Sequence, residues 1–280
     1  MKRILIFIGV CSTLAMNGQD TLWILPGTWI QGLDTMPALR SEVQPTWTGF
    51  NAVIDRPANT SNSIVIVNTD TIEHTWSTNA PDAAITSLPP EMATEVSLPS
   101  LPQGSYHYSL IDEPGKVLGA GGLLRIGWTD ETMFYWNLSE WQPSMMELAA
   151  AGESIDWTLP YVPRHFTINE RAYPSTADDP NALVAVNLND TCFISISNLG
   201  HMNHVLHFHG FHVDIMTSTD HPERVGWNKD TVPIRKGESM TVRLVAFQEG
   251  MYPVHNHNLI AVTNAGFYPG GMITTIHVMP

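Results

Sequence analysis

Residues 198–210 read NLGHMNHVLHFHG, and the reading of the whole chain turns on this stretch. Five histidines fall within 201–212: His201, His204, His207, His209 and His212. His207 and His209 form an HxH pair. In a β-strand, residues i and i+2 project from the same face, so both imidazoles can reach one locus. Gly210 follows at once, which permits a bend or a close backbone approach. Forty-six residues beyond His209, YPVHNHNL (252–259) supplies a second HxH pair, His255 and His257. Two such strands side by side would present four imidazoles together. Imidazole suits copper, zinc, nickel and iron, and copper leads in intrinsic affinity among the divalent ions. One HxH pair alone reads as a solvated strand face; two in matching places read as a metal site. His201 and His212 lie outside the pairs and are read as surface or supporting residues.

The same stretch closes a repeat. FNAVIDRPANTSNSIVIVNTDTIEHTW (50–76) parallels the segment from TINERAYP to HFHG (167–210). Asn68 then matches Asn198, and His74 matches His204, both at an offset of 130 residues. Further on, LPQGSYHY parallels FQEGMYPV, and GGLLRI parallels GGMITT, so Gly104, Tyr106 and Gly121 match Gly250, Tyr252 and Gly270. NSIVIVNTD, LVAVNLNDTCFISISN and SMTVRLVAF alternate or run apolar with β-branched residues, as strands do. The 3.6-residue apolar period of a helix is rare; short helical turns are expected only near 141–152. The fold class expected is all-β: two tandem Greek-key β-sandwiches, near 20–129 and 130–280.

Composition narrows the partners. Of 280 residues 14% are charged, with 13 Lys and Arg against 27 Asp and Glu. MKRILIFIGVCSTLAMNGQD opens with a basic pair and a short apolar run, and residues 1–19 are expected to be a secretory signal peptide, directing the chain to a periplasmic or extracellular location. Without Lys2 and Arg3 the chain keeps 11 Lys and Arg against 27 acids, a formal charge near −16. Such a surface repels nucleic acid and anionic lipid and tolerates cations. No other apolar run is long enough for a membrane span. Cys192 is the single cysteine beyond the leader, which leaves no disulfide framework.

The motifs carry a resemblance. HVLHFHGFH (204–212) resembles the HxxHxHG motif of the last domain of multicopper oxidases, and FTINERAYP (166–174) looks like the family's lead-in to it. GMYPVHNHNLIAVTNAGFYPGGM (250–272) occupies the place of the family's HCHxxxHxxxxM motif. The second pair also resembles the second domain of copper nitrite reductases, of the same cupredoxin superfamily. The resemblance implies copper as cofactor. It places His207, His209, His255 and His257 on type 2 and type 3 copper positions, and His204 on a type 1 position, an additional ligand candidate. Asn256 stands where the family has the type 1 cysteine, and Ala261 where it has the second type 1 histidine. Met272 lies near the axial-ligand region and is read as core, and Cys192 as a buried small apolar residue. No blue copper centre of the His₂Cys kind is therefore expected. The first repeat is depleted too: Ser77 and Asn79 fall where His207 and His209 sit, and Ser109 and Ile111 where His255 and His257 sit.

Three functions fit these residues. The first is a secreted copper-binding protein with oxidoreductase chemistry at an imidazole-only site open to O₂ or a small molecule. The second is a non-enzymatic copper carrier or buffer, and the third a structural or interaction module on an oxidase scaffold. Zinc is the other ion the four donors would take. The sequence leaves catalysis, substrate and oligomeric state, including a homo-oligomer, open.

Overall fold

In the computed structural model, residues 21–128 and 131–280 are described. The expected leader, and the expected domain boundary between residues 129 and 130, lie outside them. The first half contributes nine strands: β1 (Thr21–Gln31), β2 (Asp34–Glu42), β3 (Ile54–Arg56), β4 (Asn62–Asn68), β5 (His74–Thr78), β6 (Thr86–Leu88), β7 (Ala93–Leu98), β8 (Gly104–Leu110) and β9 (Gly121–Ile126). The second contributes eleven: β10 (Met133–Trp141), β11 (His165–Ile168), β12 (Val184–Asn187), β13 (Thr191–Asn198), β14 (His204–Phe208), β15 (Val213–Ser218), β16 (Asn228–Lys229), β17 (Thr231–Ile234), β18 (Ser239–Val245), β19 (Gly250–Asn256) and β20 (Ile273–Met279).

The two halves repeat one topology. The first stacks sheet β2-β1-β4-β7 on sheet β3-β9-β8-β5-β6. The second stacks β11-β10-β13-β18, extended by β15-β16, on β12-β20-β19-β14-β17. β1 runs parallel to β4, and β10 parallel to β13. β3 runs parallel to β9, and β12 parallel to β20. The fold is thus all-β, two tandem cupredoxin-like sandwiches, and the second differs chiefly by one added hairpin.

The repeat extends to single hydrogen bonds. Asn68 Oδ1 accepts from the Asp70 N–H at 2.9 Å, and its Nδ2 donates to the Ile72 carbonyl at 2.9 Å. Asn198 does the same two and four residues on, to Gly200 N–H at 3.1 Å and the Met202 carbonyl at 2.8 Å. Each asparagine thereby ties the turn that delivers a buried histidine, His74 or His204, to the start of the next strand.

Alternation explains each core. β4 and β20 bury every second residue, the pattern of a strand with one face on the core. β13 is buried on both faces. Cys192, Ile194 and Ile196 enter the second core, as expected for Cys192, whose thiol burial pushes up to about 12. Ser195 faces the first domain, where the Ser105 hydroxyl donates to its Oγ at 2.8 Å. Ser105 also pairs with Thr241 at 2.6 Å, and Asn79 Nδ2 donates to the Gly237 carbonyl at 3.0 Å. The domains meet through small hydroxyl and amide groups whose polar atoms satisfy one another.

One element crosses between them. β10 belongs to the second sandwich, yet Trp141 at its end and helix α2 (Pro143–Ala150) pack into the first core, beside helix α1 (Glu113–Leu118). The Trp141 ring lies 5.0 Å from the Arg40 guanidinium and 5.2 Å from the Trp29 ring. Arg40 is fully buried, and burial lowers it to about 10, so it remains a cation on these aromatic faces.

His74 offers a test of the first domain. It is fully buried, with Nδ1 bonded to Asp112 Oδ2 at 2.9 Å and Nε2 to Asp70 Oδ2 at 3.1 Å. Burial pulls its pKa down, but the two carboxylates outweigh this and hold it above the ordinary value. A raised imidazole pKa adds stability that is full below the unfolded value of about 6.5 and fades as pH rises through the folded value. Asp112 is held low, mainly by His74 against its own burial, so its share fades only in acid. His74→Gln is therefore expected to lower the unfolding midpoint more at pH 5.5 than at pH 8.5. Equal losses in thermal melts at the two pH values would contradict the pairing.

Candidate metal centre

β14 and β19 are antiparallel neighbours with His207 and His255 as direct Cα partners. β14 alternates buried His204, Leu206 and Phe208 with outward Val205 and His207, and β19 buries Val254 and Asn256 while turning His255 outward. His209 and His257 continue the outward parity just beyond the strand ends. Their N–H groups donate to Pro253 and Val205 carbonyls, at 3.1 and 2.7 Å, which carries the pairing through both. Gly210 ends the run at φ +75°, where a Cβ would strike the Tyr252 ring.

Four imidazoles result on one outer sheet face. Ring centroids lie 4.7 Å apart for His207–His209, 5.1 Å for His209–His255, 5.6 Å for His207–His255, 5.8 Å for His207–His257 and 6.4 Å for His255–His257. The central pair is partly buried and the outer two are exposed.

The backbone sets the tautomers. His255 Nδ1 lies 2.9 Å from the Asn256 carbonyl, which only accepts, so Nδ1 carries the proton and Nε2 the lone pair. His207 Nδ1 sits 3.3 Å from the Asp230 carbonyl and 3.1 Å from Thr231 Oγ1, the same arrangement. Donation of the second ring nitrogen to a carbonyl is the usual support of a metal-ligating histidine. His209 Nε2 and His255 Nε2 are 3.0 Å apart. Two nitrogens each about 2.0–2.1 Å from one ion, at about 90–109°, are about 2.8–3.4 Å apart. That spacing serves either a hydrogen bond between neutral rings or two ligands of one ion. No three His, Cys, Asp or Glu side chains among the described residues already converge on a common ion position. Recruiting a third imidazole takes side-chain rotation, which an exposed sheet face permits. The His209 pKa is lowered, first by burial and then by His207 and His255, which favours the neutral, ligating form.

His204, expected as an additional ligand, is not brought to this cluster. It lies three positions before His207, an odd offset along the strand, so it points to the opposite, inner face. Its Nε2 lies 2.9 Å from Glu140 Oε2 and its Nδ1 2.8 Å from Asn256 Nδ2. Asn256 Nδ2 also lies 3.3 Å from Met272 Sδ, and its Oδ1 accepts from Asn258 N–H at 2.9 Å. Ala261 is buried beside this network. The positions that the resemblance assigns to a type 1 centre thus hold an amide with every donor and acceptor engaged.

Sequence reading missed Glu140. It is buried, and its Oε1 accepts from the His201 and Met202 N–H groups. The only signal was an acidic residue inside the apolar, aromatic run that forms β10. His201 lies between Trp157 and Tyr161, at centroid distances of 5.1 and 5.3 Å, and His212 is exposed. In the first domain Ser77 and Ser109 are direct Cα partners, the register of His207 and His255. Hydroxyls stand there in place of imidazoles.

Residues 154–269 match the multicopper oxidase family. No curated protein matches the chain. Among solved structures, the blue copper oxidase from Nitrosomonas europaea is similar with a TM-score of 0.76 and 20% identity, over 92% of this chain and 85% of that one. The multicopper oxidase mgLAC gives 0.73 and 18%, over 92% and 84%. The copper nitrite reductase from Nitrosomonas europaea gives 0.70 and 14%, over 92% of each chain. The class of protein is therefore a two-domain cupredoxin-like scaffold. Within that class, the match to the multicopper oxidase family covers residues 154–269, in the second half of this chain.

Proposed function

We propose that the protein is an exported copper-binding protein in which His207, His209, His255 and His257 hold one or two copper ions. One observation carries the reading: four imidazoles share one outer sheet face, with the central pair in register and its Nε2 lone pairs directed by backbone carbonyls. The donor set is all nitrogen, which suits Cu(II) and favours it over zinc. Bound copper would supply a Lewis-acidic, redox-active centre there. The chain itself supplies neutral donors, fixed tautomers and an open face.

Holding copper is favoured over multi-electron turnover. The family's thiolate position is Asn256, and its amide is committed to His204, Met272 and Asn258. The scaffold keeps an imidazole-only site without the partner through which electrons enter a blue oxidase.

Loading the purified protein with Cu(II) at pH 7.5, followed by desalting, tests the proposal. One to two equivalents should remain, with the EPR signature of nitrogen-ligated Cu(II) and no intense blue thiolate band. Complete loss of copper on desalting, or retention of zinc in preference to copper, would refute it. Sustained oxidation of a phenol under air would move the function to an oxidase working at the imidazole site.

A further inference from the structure

A second site lies between the domains. A cavity of about 240 Å³ opens where β8, β10, α2 and the 198–201 turn meet. At about 30 Å³ per water it has room for roughly eight waters, or a ligand of about ten heavy atoms. Leu110, Val117 and Met145 give it an apolar wall, and Tyr161 an aromatic one.

Its polar lining includes His107, His201, Lys116, Lys236 and Glu140, with Ser109 and Ser139. Lys116 and Lys236 are exposed, and neither forms an ion pair among the described residues. Unpaired lysines converging from two domains are notable in a chain of net charge −14. Glu140 opposes them, but its carboxylate already accepts from His201 N–H, Met202 N–H and His204. His107 Nδ1 is bonded to Ser239 Oγ at 3.2 Å. Burial first, and then Lys116, lowers His107 to about 4, and burial, Lys116 and Lys236 lower His201 despite Glu140. Both imidazoles are thus neutral at pH 7. Two ammonium groups against one carboxylate leave a single positive charge beside an apolar wall.

We propose that this interdomain cavity binds a small organic monoanion, a carboxylate on a compact apolar or aromatic body. Its carboxylate sits between Lys116 and Lys236, its body lies against Val117, Met145 and Tyr161, and the neutral imidazoles of His107 and His201 donate or accept at its edge. This site is independent of the copper proposal, because the four outward histidines lie on a different sheet.

Benzoate is the probe, titrated into metal-free protein by isothermal calorimetry at pH 7.5. Saturable binding with a dissociation constant of about 1 mM or tighter is expected. Neutral benzamide should bind at least about tenfold more weakly, as should benzoate to the Lys116→Gln/Lys236→Gln double variant. Both lysines are exposed, so the variant retains its fold. Binding should be unchanged in His207→Ala/His255→Ala. Absence of binding at about 10 mM, or equal affinity in the lysine variant, overturns the proposal. Loss of binding in the histidine variant also overturns it, because the carboxylate would then be held by the imidazole cluster.

Discussion

Replacing His207 and His255 together by alanine is expected to abolish copper retention and leave the fold intact. Both side chains point outward from the sheet, so their removal opens no core cavity. They are also the in-register centre of the cluster, the two rings whose Nδ1 protons are committed to backbone carbonyls. His209 and His257 remain, but each occupies one end of the row. Loss of even an outer partner of a metal ligand costs about 10–100-fold in affinity, and loss of two ligands must cost more. Copper stoichiometry after desalting should fall from one or two to near zero while the melting curve barely moves. Unchanged stoichiometry would refute the ligand assignment. In the wild-type protein, copper competes with protons for the same nitrogens, so retention should fall as pH drops through about 6.5. His209 is held below the ordinary imidazole value by burial and by its two neighbours, which favours its neutral, ligating form.

How the cluster forms was legible in part. The i, i+2 spacing of each HxH pair fixes a shared face, and the repeat placed both pairs on corresponding strands. The register could not be read, because the pairing of β14 with β19 is set by the whole sheet and not by either strand. The same parity rule, applied to His204, places it on the face opposite His207; the motif resemblance drew it toward ligation instead. The depletion of the first domain was readable to the residue. Ser77 and Ser109 are cross-strand partners where the second copy pairs His207 with His255. Glu140 was not readable, because it reaches His204 from a different sheet, 64 residues away in sequence. The crossing of Trp141 and α2 into the first core was hidden for the same reason. The 141–152 segment read as a helical turn, and nothing local says which core an apolar turn will join.

Glu140→Ala is expected to be among the most destabilising single substitutions in the chain. Glu140 and His204 are both wholly shielded from solvent, and the carboxylate is the acceptor for the His204 ring and two backbone N–H groups of the turn before β14. With Asn256 Nδ2 donating to Nδ1, the His204 proton sits on Nε2, facing Glu140. Alanine removes the acceptor and leaves the buried His204 Nε2–H and the part-buried N–H groups of His201 and Met202 without it. Removing one member of such a buried pair costs about 3–5 kcal/mol. At about 2–4 °C per kcal/mol for a chain of this size, the apparent melting temperature should fall by about 10 °C. Glu140→Gln should fall less, because the amide oxygen keeps one acceptor while its NH₂ confronts a donor. A melting temperature for Glu140→Ala within about 2 °C of wild type would show that water or a shifted turn replaces the carboxylate. The positions that resemble a type 1 copper centre would then owe their stability to Asn256 and Met272 alone. An ordering with alanine clearly below glutamine, and glutamine below wild type, would establish that this chain holds its second domain together with a hydrogen-bonded network at the place where blue oxidases hold a metal.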